Sequence, residues 1–273
     1  MADNFLYILD HDLCNLCIIG VNDELKKESH IIIPSKILCK GRYYVVTKIG
    51  FQAFCQCEKL KDIIIPSSVT FIGTRAFKNC ENLERVVIPD SVIHIGIEAF
   101  YNCKKLKAIT LPPSVKYVGW RAFKGCEKLE NIDYFASVET VCSGTFENCF
   151  SLRKVVLPQG IIRLDPHAFR GCSNLKSIEL PQSTQKIERE VFYDCKSLNK
   201  IICNSISPPE FEFVDDNPFG FDVEGTMNWL YSGYYCDPFD GIDKNSCFLY
   251  VPGISIEKYK ETMVWSGFTI NGL

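Results

Sequence analysis

The sequence predicts a strand-rich α+β repeat solenoid, because one short string recurs along it with a fixed period of 23 residues. The string is Ala-Phe-x-x-Cys-x-x-Leu, and no insertion interrupts its register over seven copies. A strict period of this length is typical of stacked coils, each of which buries its apolar side against its neighbours. The cysteines of the seven copies are Cys57, Cys80, Cys103, Cys126, Cys149, Cys172 and Cys195.

Each repeat predicts two short strands. In the second copy, residues 86–88 are β-branched, and Pro89 ends this strand because proline cannot donate to the next ladder bond. Residues 91–95 predict a second strand on another face of the coil. Stacking then places the equivalent strands of neighbouring coils side by side.

A tight turn is predicted to connect the second strand to the next coil. Gly96 turns the chain, and residues 97–102 predict one helical or 3₁₀ turn that directs Ala99 and Phe100 inward. The corner position is occupied in successive copies by Gly50, Gly73, Gly96, Gly119, Cys142, Asp165 and Glu188. Either this corner does not need a positive φ, or the bend changes along the stack.

One copy departs from the pattern. Phe135 stands where the other copies have proline, so a local irregularity is expected near residues 133–138. The flanks of the array predict an N-terminal capping unit over residues 1–48 and a closing unit over 204–273, with repeats over 49–203. The prediction is therefore one solenoid domain of 273 residues.

Composition narrows the classes of function. The formal net charge is −3, and no apolar run approaches the roughly 18 residues of a membrane helix, so neither nucleic-acid binding nor membrane insertion is expected. The N-terminus lacks a basic segment followed by an apolar one. Together with the odd total of 15 cysteines, this favours a cytoplasmic protein, or a surface or secreted one if a leader was removed.

The repeat cysteines form one column in a stack. A buried column of small apolar thiols is the favoured interpretation, and disulfides between neighbouring coils are the alternative. Cys14-x-x-Cys17 is interpreted as the apolar side of a strand rather than a zinc or redox site, because no second pair or nearby histidine completes it.

The full repeat, Ile-Gly-x-x-Ala-Phe-x-x-Cys-x-x-Leu-x-x-Ile-x-Ile-Pro-x-Ser-Val, resembles the BspA-like class of leucine-rich repeats over residues 49–203. Residues 30–48 and 248–265 resemble the opening and closing units of such domains. The resemblance implies a leucine-rich-repeat solenoid. It also implies kinship with bacterial and protozoal surface proteins that bind other proteins, including host matrix proteins.

Two exposed columns are candidate contact surfaces. On the first strand of each repeat, the position between the two inward residues varies in type, as in a binding surface or any solvated face. Its residues are Ile64, Val87, Thr110, Asp133, Val156, Glu179 and Ile202. On the second strand, Phe71, His94 and Tyr117 are predicted to stack, either as a partner anchor or as ordinary cross-strand pairing.

Residues 207–246 interrupt the pattern. The segment is rich in aromatic residues and carries nine acidic residues against one lysine. It is interpreted either as a cap over the last coil or as a partner-binding loop, in which Trp229, Tyr234 and Tyr235 are candidate anchors. The aspartates at 237, 240 and 243 suit turn chemistry better than a calcium loop.

Motifs of catalysis, cofactor binding and metal ligation were not found, so no enzyme activity, cofactor or metal is expected. We predict a protein-binding scaffold, monomeric or weakly homo-oligomeric, whose partner the sequence does not identify. The alternatives are an adhesin-like surface protein without its leader and a self-assembling structural repeat protein.

Overall fold

The computed structural model describes residues 4–10, 14–134, 137–211 and 237–273. The first eleven strands are β1 (Phe5–Asp10), β2 (Asn15–Val21), β3 (His30–Ile32), β4 (Lys36–Cys39), β5 (Arg42–Ile49), β6 (Asp62–Ile64), β7 (Phe71–Ile72), β8 (Arg85–Val86), β9 (His94–Ile95), β10 (Ala108–Leu111) and β11 (Tyr117–Val118). The remaining strands are β12 (Asn131–Tyr134), β13 (Thr140–Val141), β14 (Lys154–Val156), β15 (Arg163–Leu164), β16 (Ser177–Leu180), β17 (Lys186–Ile187), β18 (Lys200–Cys203), β19 (Glu210–Phe211), β20 (Phe248–Val251) and β21 (Thr269–Gly272).

Each coil contributes one strand to each of two strand faces. The first-strand face contains a sheet of β3-β6-β8 and a sheet of β10-β12-β14-β16-β18-β20-β21. The second-strand face contains a sheet of β1-β2-β5-β7-β9-β11, with β4 paired to β5, and a sheet of β13-β15-β17-β19. Within the repeats, strands of neighbouring coils pair in parallel at a spacing of 23 residues, as Tyr117 does with His94. The strand-rich repeat solenoid is therefore confirmed.

The predicted helical turn after each second strand is not confirmed. In the described repeats the segment is a run of turns, in which two residues four positions apart have a left-handed φ. Glu98 (φ 53°) and Asn102 (φ 56°) are one such pair. A left-handed residue at each end of the segment interrupts the right-handed succession that a helix needs. The turn nevertheless buries Ala99 and Phe100 as predicted.

The corner glycines are required by close approach and not by a positive φ. A Cβ at Gly96 would lie 2.5 Å from the backbone nitrogen of Thr74 in the preceding coil. At Gly119 a Cβ would lie 2.5 Å from the backbone nitrogen of Ile97. The absence of a side chain lets adjacent coils touch at this corner.

Two stacked columns run through the core. The phenylalanine rings from Phe54 to Phe192 stack in order, with centroids 5.1–5.7 Å apart and nearly parallel planes. The seven repeat cysteines are fully buried and free, so the described part of the column has no disulfide. The buried-thiol interpretation is correct there.

The C-terminal end of the stack is covered by aromatic residues. Phe239 takes the next place in the phenylalanine column, 5.4 Å from Phe192, and the Phe192 N–H donates to the Pro238 carbonyl. Tyr259, in the short helix α1 (Ile256–Lys260), and Trp265 pack behind it. In the described part of the chain, no helix has the length and apolar character needed to cross a membrane.

Candidate protein-binding face

The variable column of the first-strand face is largely exposed. Ile64 is 58% exposed, Val87 78% and Val156 50%, and Thr110 is also exposed, whereas Glu179 is half-buried. The backbone of Asp133 pairs between Thr110 and Val156, but its side chain lies outside the described residues. Ion pairs between neighbouring coils flank this column. Asp62, for example, accepts from Arg85 at 3.1 Å and lies 3.0 Å from the His30 ring.

The aromatic row of the second-strand face forms as predicted. The Phe71 and His94 rings stack at 4.3 Å with planes 8° apart, and His94 stacks on Tyr117 at 4.6 Å and 13°. Burial lowers the pKa of the His94 imidazole below its ordinary value, so the ring is neutral at neutral pH. The row therefore consists of three uncharged, partly exposed rings.

The sheet of the second-strand face is interrupted where this row ends. β11 and β13 belong to separate sheets, although hydrogen bonds hold the two coils together on either side of the gap. The Ser137 N–H donates to the Val115 carbonyl and the Arg121 N–H to the Ser143 carbonyl, both at 2.9 Å. The opening between these bonds is a cleft of about 470 Å³.

The cleft lies between the last glycine corner and the first corner that carries a side chain. Gly119 occupies the corner of one coil and Cys142 that of the next. A Cβ at the glycine corners would collide with the preceding backbone, and Cys142 carries a Cβ at the corner where the pairing stops, whereas β13 and β15 pair although Asp165 carries a side chain at the next corner. The expected irregularity at 133–138 falls in the same coil, and residues 135 and 136 lie outside the described residues.

Trp120 stands at the mouth of the cleft with 56% of its surface exposed. It also borders a second, adjoining cleft of about 670 Å³. Side chains shared by the two clefts are Trp120, Arg163 and Asp165. Arg163 donates to Asp165 at 2.7 Å, so the lining that the two clefts share contains an internal ion pair.

Burial also shapes the chemistry of the cleft. It raises the pKa of the Asp165 carboxyl, although Arg163 acts in the opposite direction. Burial, and then the nearby Asp165 carboxylate, raises the pKa of the Cys142 thiol to about 11. This thiol is therefore protonated and a poor nucleophile at neutral pH. Among the described residues, no group of three or more His, Cys, Asp or Glu side chains could hold a metal ion.

The structure thus stacks Phe71, His94 and Tyr117, places Tyr117 in the lining of the cleft with Trp120, and places the Ile64 column on the other strand face. Trp229, Tyr234 and Tyr235 lie outside the described residues. Sequence reasoning did not identify Arg163 and Asp165 as parts of a cleft. The available signals were the change from glycine to Cys142 and the loss of proline at position 135.

Comparisons with known proteins identify a matching family. The family model described as BspA type Leucine rich repeat region matches residues 43–153 and 139–213, in six copies. A search of curated proteins found no match.

Solved structures of leucine-rich repeat proteins also match this chain. The Leucine Rich Repeat protein of T. pallidum is 28% identical, with 74% of this chain and 80% of that one covered and a TM-score of 0.54. A leucine-rich repeat protein from Eubacterium ventriosum is 20% identical, with 89% of this chain and 51% of that one covered and a TM-score of 0.50. One from Bacteroides ovatus is 22% identical, with coverage of 99% and 98% and a TM-score of 0.45.

Proposed function

The chain belongs to the BspA-type leucine-rich repeat family, and on that premise we propose that it is a non-enzymatic protein-binding scaffold that engages its partner through the Trp120 cleft. Members of this family are repeat scaffolds, and a stack of coils offers broad faces. The contact surface of the proposal comprises Phe71, His94 and Tyr117 together with Trp120 and the cleft beside it.

The observation that carries the proposal is the exposure of Trp120 at the cleft mouth. Tryptophan is enriched among the residues that dominate binding energy, because one rigid side chain removes a large apolar area from water. An exposed tryptophan beside a concave opening suits a protruding apolar or aromatic side chain of a partner. The Arg163–Asp165 pair supplies both a donor and an acceptor for polar groups near that side chain.

A second candidate surface is the first-strand column. Ile32, Ile64 and Val87 are successive exposed apolar side chains there, 65%, 58% and 78% exposed. The two clefts beside Trp120 lie away from this patch, and ion pairs border it. We therefore rank it below the cleft as a contact surface.

Site-specific crosslinking can separate the two surfaces. A photoreactive amino acid with an aromatic side chain, which keeps an aromatic anchor in place of Trp120, is placed at position 120 in one preparation and at position 87 in another, and each is irradiated in an extract of the source cells. We expect a discrete crosslinked protein from position 120 that disappears when unlabelled protein is added in excess. The unlabelled Trp120→Ala variant should compete at least about ten-fold less well, as expected for loss of an anchor worth at least 1.4 kcal/mol. A specific crosslink from position 87 alone would refute the assignment to the cleft.

A further inference from the structure

The adjoining cleft of about 670 Å³ lies over a coil with small side chains. Ser143 lines it and Gly144 follows, where the preceding coil carries Trp120 and Arg121. The turn backbones stay bonded on both sides of this coil. The Arg121 N–H donates to the Ser143 carbonyl at 2.9 Å, and the Gly144 N–H donates to the Pro166 carbonyl at 3.0 Å. The cleft is therefore a concavity of the side-chain surface above joined coils.

Negative charge in the lining of the adjoining cleft is buried. The carboxylates that line it are those of Glu98, Asp165 and Glu188, which are 7%, 9% and 5% exposed. Each of them has a cationic neighbour. In the same order these neighbours are Lys78 at 2.7 Å, Arg163 at 2.7 Å and Lys186 at 2.9 Å. A ligand that enters the cleft therefore meets carboxylates whose charge is already compensated.

Positive charge in the same lining is exposed. Arg121 is an exposed residue, and within the described part of the chain it makes no ion pair. The side chain of Arg163 is 47% exposed, although its Nε contacts the Asp165 carboxylate at 2.7 Å. A guanidinium group has five N–H donors, more than one carboxylate can use. The cleft thus offers guanidinium donors to a ligand beside the indole ring of Trp120.

We propose that the adjoining cleft binds a carboxylate, and that the partner inserts an aspartate or glutamate side chain there. Arg121 and Arg163 are its donors, because the planar fork of a guanidinium matches the two oxygens of a carboxylate. Trp120 borders both clefts, so one partner segment can place an apolar side chain in the first and an acidic side chain in the second. The inference rests on the proposed function in that the partner is a protein.

A single acidic side chain suits this surface better than a chain of phosphates. Glu139 is exposed in the lining of the first cleft, and in the described residues it has no ion-pair partner. A single-stranded nucleic acid needs a positively charged groove along several nucleotides, and it would meet this carboxylate next to Trp120. A protein segment that carries one acidic and one apolar side chain avoids that repulsion.

Two blocked peptides test the site directly. They are acetyl-Gly-Phe-Glu-Gly-amide and the same peptide with glutamine in place of glutamate, which differ only in the carboxylate. Each is titrated into the full chain, and NMR follows the indole N–H of Trp120, one of three tryptophans, assigned with the Trp120→Phe variant. We expect the glutamate peptide to bind about ten-fold more tightly than the glutamine peptide, as one charge-assisted contact would produce. High salt should reduce this preference, because the arginines are exposed.

A matched pair of variants assigns the preference to the cleft. Arg121→Gln keeps the side chain as far as the Cγ that lies beside Gly144, so the melting curve should match that of the parent. It should remove most of the preference and leave the affinity for the glutamine peptide unchanged. Arg85→Gln removes a guanidinium whose side chain is 81% exposed on the other strand face, and it should keep the full preference.

The outcomes separate this inference from the proposed function. The carboxylate site would be overturned by equal affinities of the two peptides, by no shift of the Trp120 signal with either peptide, or by a preference that survives Arg121→Gln. Tighter binding of a thymidine oligonucleotide than of the glutamate peptide would overturn it as well. A crosslink from position 120 without a preference for glutamate would leave the proposed function standing and remove the carboxylate site. A preference for glutamate without any crosslink would do the reverse.

Discussion

The thiol of Cys103 donates a hydrogen bond to the backbone carbonyl of Phe77, 3.3 Å away in the preceding coil. Five other repeat cysteines make the same contact with the phenylalanine 26 residues earlier, at 3.0–3.3 Å. The contact gives a physical reason for cysteine at this position. Alanine would also be small and apolar, but it would leave a buried carbonyl without this donor.

Removal of the Cys103 thiol should therefore destabilise the stack. We expect Cys103→Ala to lower the free energy of unfolding by about 1–2 kcal/mol, from the lost hydrogen bond and the small cavity. Cys103→Asp should cost several kcal/mol, because it buries a carboxyl group among apolar side chains. Chemical denaturation followed by circular dichroism measures both. An unchanged stability for Cys103→Asp would mean that the thiol column is accessible to water.

Stability should fall steeply at alkaline pH. Burial raises the pKa of Cys126 to about 12, and that of Cys195 to about 12, above the 8.5 of an unfolded cysteine. Between those values the unfolded chain releases the proton while the folded chain keeps it. The stabilisation present below about pH 8.5 is therefore lost as pH rises, by about 1.4 kcal/mol per pH unit for each such thiol.

Denaturation curves from pH 8 to 11 measure this slope. The double variant Cys126→Ala, Cys195→Ala should show a slope shallower by about 2.7 kcal/mol per pH unit than the parent once the unfolded thiols are ionised. Ile254→Ala, at an exposed apolar residue, serves as the control, since it removes no thiol and should leave the slope unchanged. Parallel curves for the parent and the double variant would contradict the prediction.

The sequence determined the parts of this fold that depend on periodicity alone. A period of 23 residues sets which residues meet across coils, so the stack of Phe71, His94 and Tyr117 and the burial of Cys103 followed from counting. The thiol–carbonyl bond did not follow, because it depends on how far each turn is offset from the coil before it. The left-handed residues of the turn were not predicted either, because Glu98 is not a residue type that favours a positive φ.

The cleft was the part hardest to predict. A change from Gly119 to Cys142 at equivalent corners suggests a change of bend, but not its size or location. The structure shows that β11 and β13 do not pair there, whereas β13 and β15 do pair although Asp165 also carries a side chain at its corner. The Arg163–Asp165 pair lines this cleft, which counting along the sequence did not indicate.

Close approach at the corners predicts a large penalty for the smallest possible side chain. Gly96→Ala would place a Cβ 2.5 Å from the nitrogen of Thr74 and 2.6 Å from the carbonyl carbon of Gly73. We expect a loss of about 3 kcal/mol in unfolding free energy, because backbone atoms cannot move aside. Gly253→Ala is the matched control, since no heavy atom lies within 4 Å of its added Cβ. Equal melting temperatures for the two variants would disprove the corner argument.

The same reasoning predicts that the cleft can be narrowed by one substitution. Cys142→Gly removes the side chain from the corner beside the cleft. β13 can then pair with β11 in the same way as β11 pairs with β9. New ladder bonds should slow hydrogen exchange of the amides at 140–142, and Trp120 should become less accessible to acrylamide quenching. Cys55→Gly, at another half-buried cysteine, should change neither signal. If exchange at 140–142 stays as fast as in the parent, the separation has another cause and Cys142 only occupies it. If the cleft closes, the variant should also lose the crosslink expected at position 120, because a closed sheet offers no concave site for the partner.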